Sequence, residues 1–499
     1  MLRIVSHPPG PLPAIPTRSA AWRAELDPAL VAAPGIDAAI ARLHEPGALV
    51  VTTGQQPGLF TGPLYTVHKA LAAAALARVL ERRWKRPVVP LFWIAGDDHD
   101  FAEASVAHWV DQDGELVEWR LPARAASAPQ VPMSEERLPA SVADGLALLE
   151  AALPAGAPRD ETLAWLRKHY VAGATLHGAY AGAVAELLAP FGVVCFDPTH
   201  AAVKKAQAPL LLSALQRATE LDTMLASLPQ PDTGIAAGDG ASLVFINTSA
   251  GRDRLVVNGD GFRARRSGNR FTRSEIETLL AGEPGRFSAN VLLRPVVESA
   301  LLPTAAYVAG PGEMRYLERQ AFALYPALGV DRQIPVPRWS GTVVVRWAER
   351  LLGRLRVTAD AVLDDDGTLA KAFLERDFPG DARQAIDALR GQVTRSSGVI
   401  GAAGKRIDPV LDKAVKGRMQ RLGQVTDDIE NVIRRHLRRR NDIAYAQFNR
   451  LSQSFRPGGK YQERVICAPS FLGRYGNAWT GAVFEAASLW AESLPRDEA

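Results

Sequence analysis

Short apolar runs alternate with helix-length segments through most of the first 330 residues. Ala48 to Thr53 is a β-branched run ending in a loop rich in Gly and Pro. Leu64 to Arg83 holds good helix formers and neither Pro nor Gly. Pro87 to Ala95 is a second apolar run, ending at Gly96-Asp97-Asp98-His99-Asp100. Strand, helix, strand with continuously apolar strands predicts a parallel sheet covered on both faces. The rhythm resumes with a helix over Asp160–Leu188, a strand over Gly192–Asp197, a helix from Pro198 to about Leu228, a buried strand over Thr304–Val308 and a helix over Met314–Tyr325. Two β-containing insertions interrupt it, near 105–158 and 230–285. In the first, Asp113-Gly114 between Val106–Val110 and Leu116–Trp119 predicts a hairpin; in the second, Asn258-Gly259 and Gly261 mark turns. After Pro335-Val336-Pro337 the chain turns charged and helix-prone. Val415, Leu422, Val425, Ile429 and Val432 fit an a/d seam, with Arg434, Arg435, Arg438 and Arg439 beside it. The expected organisation is an α/β core over 1–340, a helical coiled-coil domain over 341–450, and a segment over 451–499 that packs back on the core.

Composition narrows the class. With 499 residues the chain exceeds the roughly 250–300 that one core sustains, so more than one unit is expected. Only Cys195 and Cys467 occur, which excludes a disulfide scaffold and a four-Cys zinc site. Cys195 lies in an apolar strand and reads as a buried, inert thiol. The first residues have no apolar signal region, and the Ala/Leu-rich run Ala70–Leu80 is too short to span a bilayer. The expectation is therefore a cytoplasmic protein without a membrane partner. A formal charge of +4 is compatible with an anionic substrate but is far from a nucleic-acid footprint. The run Arg434–Arg440 on a long helix reads as a solvated face.

In an open parallel sheet, ligands bind outside the carboxyl ends of the strands. Three loops leave apolar strands there. The first, Thr53 to Pro63, contains Gly54, Gln55, Gln56, Gly58, Thr61 and Gly62 and runs into a helix carrying His68 and Lys69. Its glycines permit close backbone approach, and free N–H groups at a helix start favour an anion. Its spacing matches neither a P-loop nor the dinucleotide fingerprint. The second loop, Asp97 to Asp100, sets four ionisable groups in a row; Asp98, His99 and Asp100 suit a divalent cation, a substrate amine, ribose hydroxyls or proton transfer. The third, Gly310-Pro311-Gly312-Glu313 with Arg315 and Tyr316, is a second strand–glycine–helix junction. Arg294 and Glu298 lie upstream and could face the same cleft.

The blocks Val51–Lys69 and Pro90–Phe101 resemble the signature of the bacillithiol biosynthesis cysteine-adding enzymes, also called putative cysteine ligases. Phe287–Pro295, Ala306–Glu313 and Gln462-Glu463-Arg464 continue the resemblance in order, across nearly the whole chain. Pro57 stands where Ala is expected, and Asp97 where Glu is usual. The resemblance implies a Rossmann-like, nucleotidyltransferase-type core with two connecting insertions, and a coiled-coil domain supporting a homodimer. It implies addition of cysteine to glucosaminyl-malate, with ATP and Mg2+ expected and a cysteinyl-adenylate as the route. On that reading Thr61, Gly62, the helix start, His68 and Lys69 stabilise phosphate charge. Asp98, His99 and Asp100 hold ammonium, ribose or Mg2+, His99 or an Asp serves as base, and Gln55 and Gln56 orient the substrate. Gly310, Gly312, Glu313 and Arg294 complete the binding set. Zinc for selecting cysteine is left open, with His99, His108 and the Asp residues as the remaining ligands. The residues also leave open another ATP-dependent adenylyl-transferring ligase, or a non-catalytic scaffold working through its helical domain.

Overall fold

The computed structural model describes residues 2–7, 9–229, 238–369, 372 and 378–495, apart from the side chains at 409, 412, 438, 440, 441 and 444. The chain divides into two compact units, Met1–Val344 with Lys460–Ala499, and Val345–Gly459.

The first unit is built on five parallel strands: β1 (Leu49–Gln55), β2 (Val88–Ile94), β3 (Val194–Phe196), β4 (Thr304–Ala309) and β5 (Ile334–Pro337). Their spatial order is β3-β2-β1-β4-β5, the order of a Rossmann fold, and it reverses between β1 and β4. β2 and β4 are buried throughout and β1 in all but its last residue, as their continuous apolar runs require. Two threonines in β1 carry local ties. Thr52 Oγ1 donates to Glu298, and Thr53 Oγ1 donates to the Val308 carbonyl at 2.8 Å, bracing β1 against β4 where the order reverses.

Helix α1 (Tyr65–Trp84) joins β1 to β2 and is buried without a break from Thr66 to Ala77. A helix enclosed on all sides must be slender, and Ala70–Ala77 is alanine apart from two leucines. Helix α2 (Ala201–Gln216) follows β3, α3 (Arg294–Leu301) precedes β4, and α4 (Pro311–Tyr316) follows it. The helix expected over Asp160–Leu188 is two, Ala157–His169 and Leu176–Leu188, parted around Gly173, whose φ of 85° is left-handed.

The first insertion forms the expected hairpin, Val106–Val110 with Leu116–Arg120. The second is a five-stranded antiparallel sheet. It extends past residue 285, because Phe287–Ala289 pairs with Val244–Ile246. Its expected beginning, 230–237, lies outside the described residues. The insertions meet where the Gln130 N–H donates to the Ala250 carbonyl at 3.0 Å and the Arg252 N–H donates to the Gln130 carbonyl at 2.9 Å.

The second unit centres on a helical hairpin, α5 (Gly380–Ile407) and α6 (Pro409–Phe455). At 47 residues α6 is roughly 70 Å long. The helices meet through Ile386 and Leu437 with Phe378, and through Arg390, which bonds Asp427 at 2.9 Å and Glu430 at 2.6 Å. The face turned to α5 is Thr426, Glu430, Ile433 and Leu437, one position along from the expected seam. Leu422, Val425, Ile429 and Val432 are instead 47%, 52%, 44% and 55% exposed, an apolar stripe left uncovered among the described residues. Arg434 bonds Glu430 and lies over Phe378; the side chains of Arg438 and Arg440 lie outside the described residues.

The chain returns to the first unit at Lys460 rather than at 451, because α6 runs on to Phe455 and stops only at Pro457-Gly458-Gly459. The final helix α7 (Asn477–Glu492) packs on α1, with Arg78 4.4 Å above the Phe484 ring. Among the described residues no helix is long and apolar enough to cross a membrane.

Candidate active site

The carboxyl ends of β1 and β4 open on a crevice of about 430 Å3 lined by Gly54, Gln55, Gln56, Arg294, Gly310, Gly312 and Glu313. It lies where strand order reverses, the place at which open α/β sheets hold ligands. A larger lobe of about 1060 Å3 lies beside it, over the end of β2, and the insertions form its outer wall. Gln56, Ala95, Asp98, Val291 and Arg294 line both, so the two form one cleft.

Lys69 forms the floor of the crevice. Its ammonium donates to the Gly54 carbonyl, to Glu313 Oε2 at 2.7 Å and, weakly, to Gln55 Oε1 at 3.4 Å. Glu313 also accepts from the Tyr307 hydroxyl at 2.6 Å and the Gly310 N–H at 2.7 Å, while Arg294 bonds Tyr307 at 2.9 Å and Glu298 at 3.3 Å. Burial alone would raise the Glu313 carboxyl, but Lys69 and Arg294 hold it below the usual carboxylate range. Burial lowers the Lys69 ammonium, opposed by Glu313. Glu313 therefore closes its own helix start, taking the Gly310 N–H that a bound anion would need. Gly54 is required by its neighbours: a Cβ there would sit 2.8 Å from the Trp93 carbonyl.

The structure does not bring Thr61, Gly62 and His68 to the wall of the cleft. Thr61 and His68 are completely buried. Phe60 and Thr61 both take left-handed φ, and the Thr61 N–H donates to the Tyr170 hydroxyl, which donates to the Gly58 carbonyl. The start of α1 is not free for an anion, since the Leu64 N–H donates to the Ile466 carbonyl at 2.8 Å. His68 Nδ1 bonds Glu463 Oε2 at 2.9 Å, and its ring stands edge-on to Trp339. Arg338 grips both oxygens of Glu463, and Ser340 donates to one of them at 2.7 Å. This network lies under the crevice and joins the returning segment to the sheet.

The acidic loop after β2 splits its duties. Asp97 bonds Lys204 at 2.6 Å; Asp98 Oδ1 accepts the N–H groups of His99 and Asp100; Asp100 caps the short helix Phe101–Ala104 through the Glu103 N–H. Gly96 lets the loop pass close to His177, whose ring a Cβ there would meet at 2.3 Å. His99 Nδ1 lies 3.2 Å from Arg252 Nη1, and since arginine can only donate, this nitrogen accepts. Burial and the Arg252 charge lower the His99 pKa. Asp98, His99 and Asp100 all line the larger lobe.

That lobe is rich in arginine. Arg252 lies 4.1 Å above the Phe245 ring and donates to Ser288 and to the Ala289 carbonyl. Arg254 and Arg265 line the same wall. Among the described residues no carboxylate pairs with any of the three. In the crevice Arg338 and Arg464 are added, with Tyr65 and Glu103. Tyr65 and Arg464 fall in the family-like blocks without an assigned role, and the residue patterns do not single out the other five. The one signal was Arg252 and Arg254 two apart in a strand, which puts both on one face. Among the described residues no three His, Cys, Asp or Glu side chains converge to hold a metal, and His108 is engaged by Glu118 at 3.0 Å, so the residues present do not fit a zinc site.

A Rossmann-like sheet with a two-lobed polar cleft at its switch point, in a chain that also carries a coiled-coil hairpin, has the architecture of an α/β enzyme. Residues 28–339 match the profile of the bacillithiol biosynthesis BshC N-terminal Rossmann-like domain, and 341–489 that of the BshC C-terminal coiled-coil domain. The second match thus includes the stretch that returns to the first unit. Among curated relatives, "Putative cysteine ligase BshC" of Salinibacter ruber is 30% identical over 88% of this chain and 81% of its own length. The protein of that name from Symbiobacterium thermophilum is 31% identical over 87% and 81%, and that from Solibacter usitatus 30% over 90% and 84%. The chain belongs to the BshC family of bacillithiol biosynthesis, whose curated members carry ligase names.

Proposed function

We propose that the protein joins the carboxylate of cysteine to the amine of glucosaminyl-malate, the last step of bacillithiol formation, after ATP has activated the carboxylate. The observation that carries this reading is the single cleft with two unlike lobes. Amide formation in water needs an activated acid and an amine brought together. The crevice at the switch point, with Lys69 beneath it and Arg464 at its rim, suits a nucleotide and the acid it activates. The lobe holding Arg252, Arg254 and Arg265 suits a dianion, and malate supplies two carboxylates. Magnesium would be held by phosphate oxygens with one or two carboxylates, for which Asp98 and Asp100 are placed; it would neutralise charge on the phosphate. This chemistry belongs in the cytoplasm, where ATP and reduced thiols are kept.

The test is ATP–pyrophosphate exchange across amino acids, followed by incubation with ATP, cysteine and glucosaminyl-malate and mass spectrometry of the product. Exchange that depends on cysteine, and a product of the ligated mass, are expected. Exchange driven by a different acid would make the protein another ligase on the same core. No product from wild-type protein would overturn the reading.

We further propose that the stripe Leu422, Val425, Ile429 and Val432 is covered by a second copy of this chain. Its spacing is self-complementary, as an a/d seam is, and twofold pairs are the commonest assemblies. Val425→Glu with Ile429→Glu is expected to convert a dimer to a monomer by light scattering. A variant that stays dimeric places the interface elsewhere.

A further inference from the structure

The three arginines of the larger lobe come from the second insertion. Three other side chains that line it carry N–H donors and no charge: Trp93 near the end of β2, Gln207 on α2 and Asn290 just before α3. All are deeply buried, at 3%, 4% and 6% exposure. Among the described residues none accepts a hydrogen bond from the Trp93 indole, the Gln207 amide or Asn290 Nδ2. Buried indole and amide N–H groups are as a rule bonded, so three without a protein acceptor along one lobe mark a place where a ligand supplies the acceptors.

Asn290 is held so that its nitrogen is the free end. Its Oδ1 accepts the N–H groups of Leu292 at 3.0 Å and Leu293 at 2.9 Å, which fixes which end of the amide is oxygen. Trp93 is anchored by its ring, tilted against Phe196 with centroids 5.4 Å apart, and its indole nitrogen can only donate. Gln207 makes no bond at either end of its amide among the described residues, so it can donate or accept. The set is two fixed donors and one adaptable group. Carboxylates and phosphates favour the arginines, since charge-assisted bonds are about twice as strong as neutral ones. An ammonium needs acceptors, which Trp93 and Asn290 Nδ2 are not. The ligand group that fits is a neutral oxygen able to accept and to donate, which is a hydroxyl.

We infer that Trp93, Gln207 and Asn290 form a hydroxyl-binding subsite that seats the sugar ring of the acceptor, an assignment that rests on the ligase reading above and deepens it. In glucosaminyl-malate the amine and the malate stand on neighbouring ring carbons. With the malate at the arginines and the amine turned to the junction of the lobes, the hydroxyls on ring positions 3, 4 and 6 are the groups left to recognise. Their oxygens accept from Asn290 Nδ2 and the Trp93 indole, and Gln207 takes either role. The three residues determine specificity. An acceptor lacking one hydroxyl leaves a buried N–H unpaired, and a site of that kind rejects the analogue far more strongly than an apolar pocket rejects a missing methylene.

The experiment measures kcat/KM for amide formation by the full-length protein with ATP, cysteine and four acceptors: glucosaminyl-malate and its 3-, 4- and 6-deoxy forms. With wild-type protein at least one deoxy acceptor is expected to fall roughly 100-fold or more. Three variants then remove one donor each. Asn290→Asp keeps the oxygen that Leu292 and Leu293 use, and Gln207→Leu and Trp93→Phe keep an apolar side chain in place. In at least one of them KM for glucosaminyl-malate should rise about 10- to 100-fold, and the penalty for the missing hydroxyl should shrink toward none. Melting temperature and cysteine-dependent ATP–pyrophosphate exchange report folding and the nucleotide side of the cleft. Equal rates with all four acceptors on wild-type protein would mean that the three donors meet only water, and would overturn the subsite. Deoxy penalties that stay the same in every variant would overturn it as well. Absence of product from wild-type protein and glucosaminyl-malate would overturn the ligase reading, and the subsite with it.

Discussion

Lys69→Met is expected to lower product formation by about 100- to 1000-fold, the usual effect of deleting one preorganised donor beside developing charge. The ammonium is almost fully buried under the crevice, where low polarity makes its field strong, and it fixes the Gly54 carbonyl and Glu313 together. A purely structural role predicts a different outcome in a double variant. Lys69→Met leaves Glu313 short of a cation, whereas Lys69→Met with Glu313→Gln removes both charges. The double variant should regain thermal stability and remain inactive if Lys69 serves the substrate. Turnover that recovers along with stability would show that Lys69 only balances Glu313. Steady-state rates and melting temperatures for three proteins decide it.

The second large effect is on folding. Arg338→Met leaves Glu463 buried with only His68 and Ser340, and breaking a buried pair from one side costs about 3–5 kcal/mol. Burial would raise the Glu463 carboxyl, yet the bonds from His68 and Arg338 hold it well below its ordinary range. A group depressed in the folded state contributes stability above its unfolded pKa, roughly 4.3, and that contribution fades as pH falls below it. Urea unfolding at pH 7 should show the loss in Arg338→Met, and the gap between wild type and Glu463→Gln should narrow toward pH 3. A gap constant with pH would mean that Glu463 is not ionised in the fold.

The sheet was legible because β1, β2 and β4 must be apolar on both faces, and such runs stand out. The order β3-β2-β1-β4-β5 was not, since β5 finds β4 by packing and not by any local pattern. Gly54, Gln55, Gln56, Lys69, Asp98, His99, Asp100, Arg294, Gly310, Gly312 and Glu313 all line the cleft, because the chain must end its strands there. Thr61, Gly62 and His68 misled because the start of α1 looks free from its own neighbourhood. The groups that fill it come from Ile466 and Glu463, about 400 residues on by sequence. Arg252 and Arg254 were passed over because alternating charge along a strand reads as a solvent face. The helical hairpin shows the same limit: periodicity reveals an apolar stripe, but not whether it meets its own chain or another.

The bond between His68 and Glu463 spans 395 positions, which sets an order on biosynthesis. At about 5–20 residues per second a ribosome needs roughly 20–80 s to pass from one to the other. For that interval the sheet already has its glycine loop, its lysine and its acidic turn, while Arg338 lacks its acid and α1 lacks the carbonyl that closes it. The enzyme therefore cannot mature from its amino end alone. Its cleft is finished by the stretch made after α6, so a ribosome that stops within α6 releases a chain with most of the site residues and without the Glu463 network beneath them.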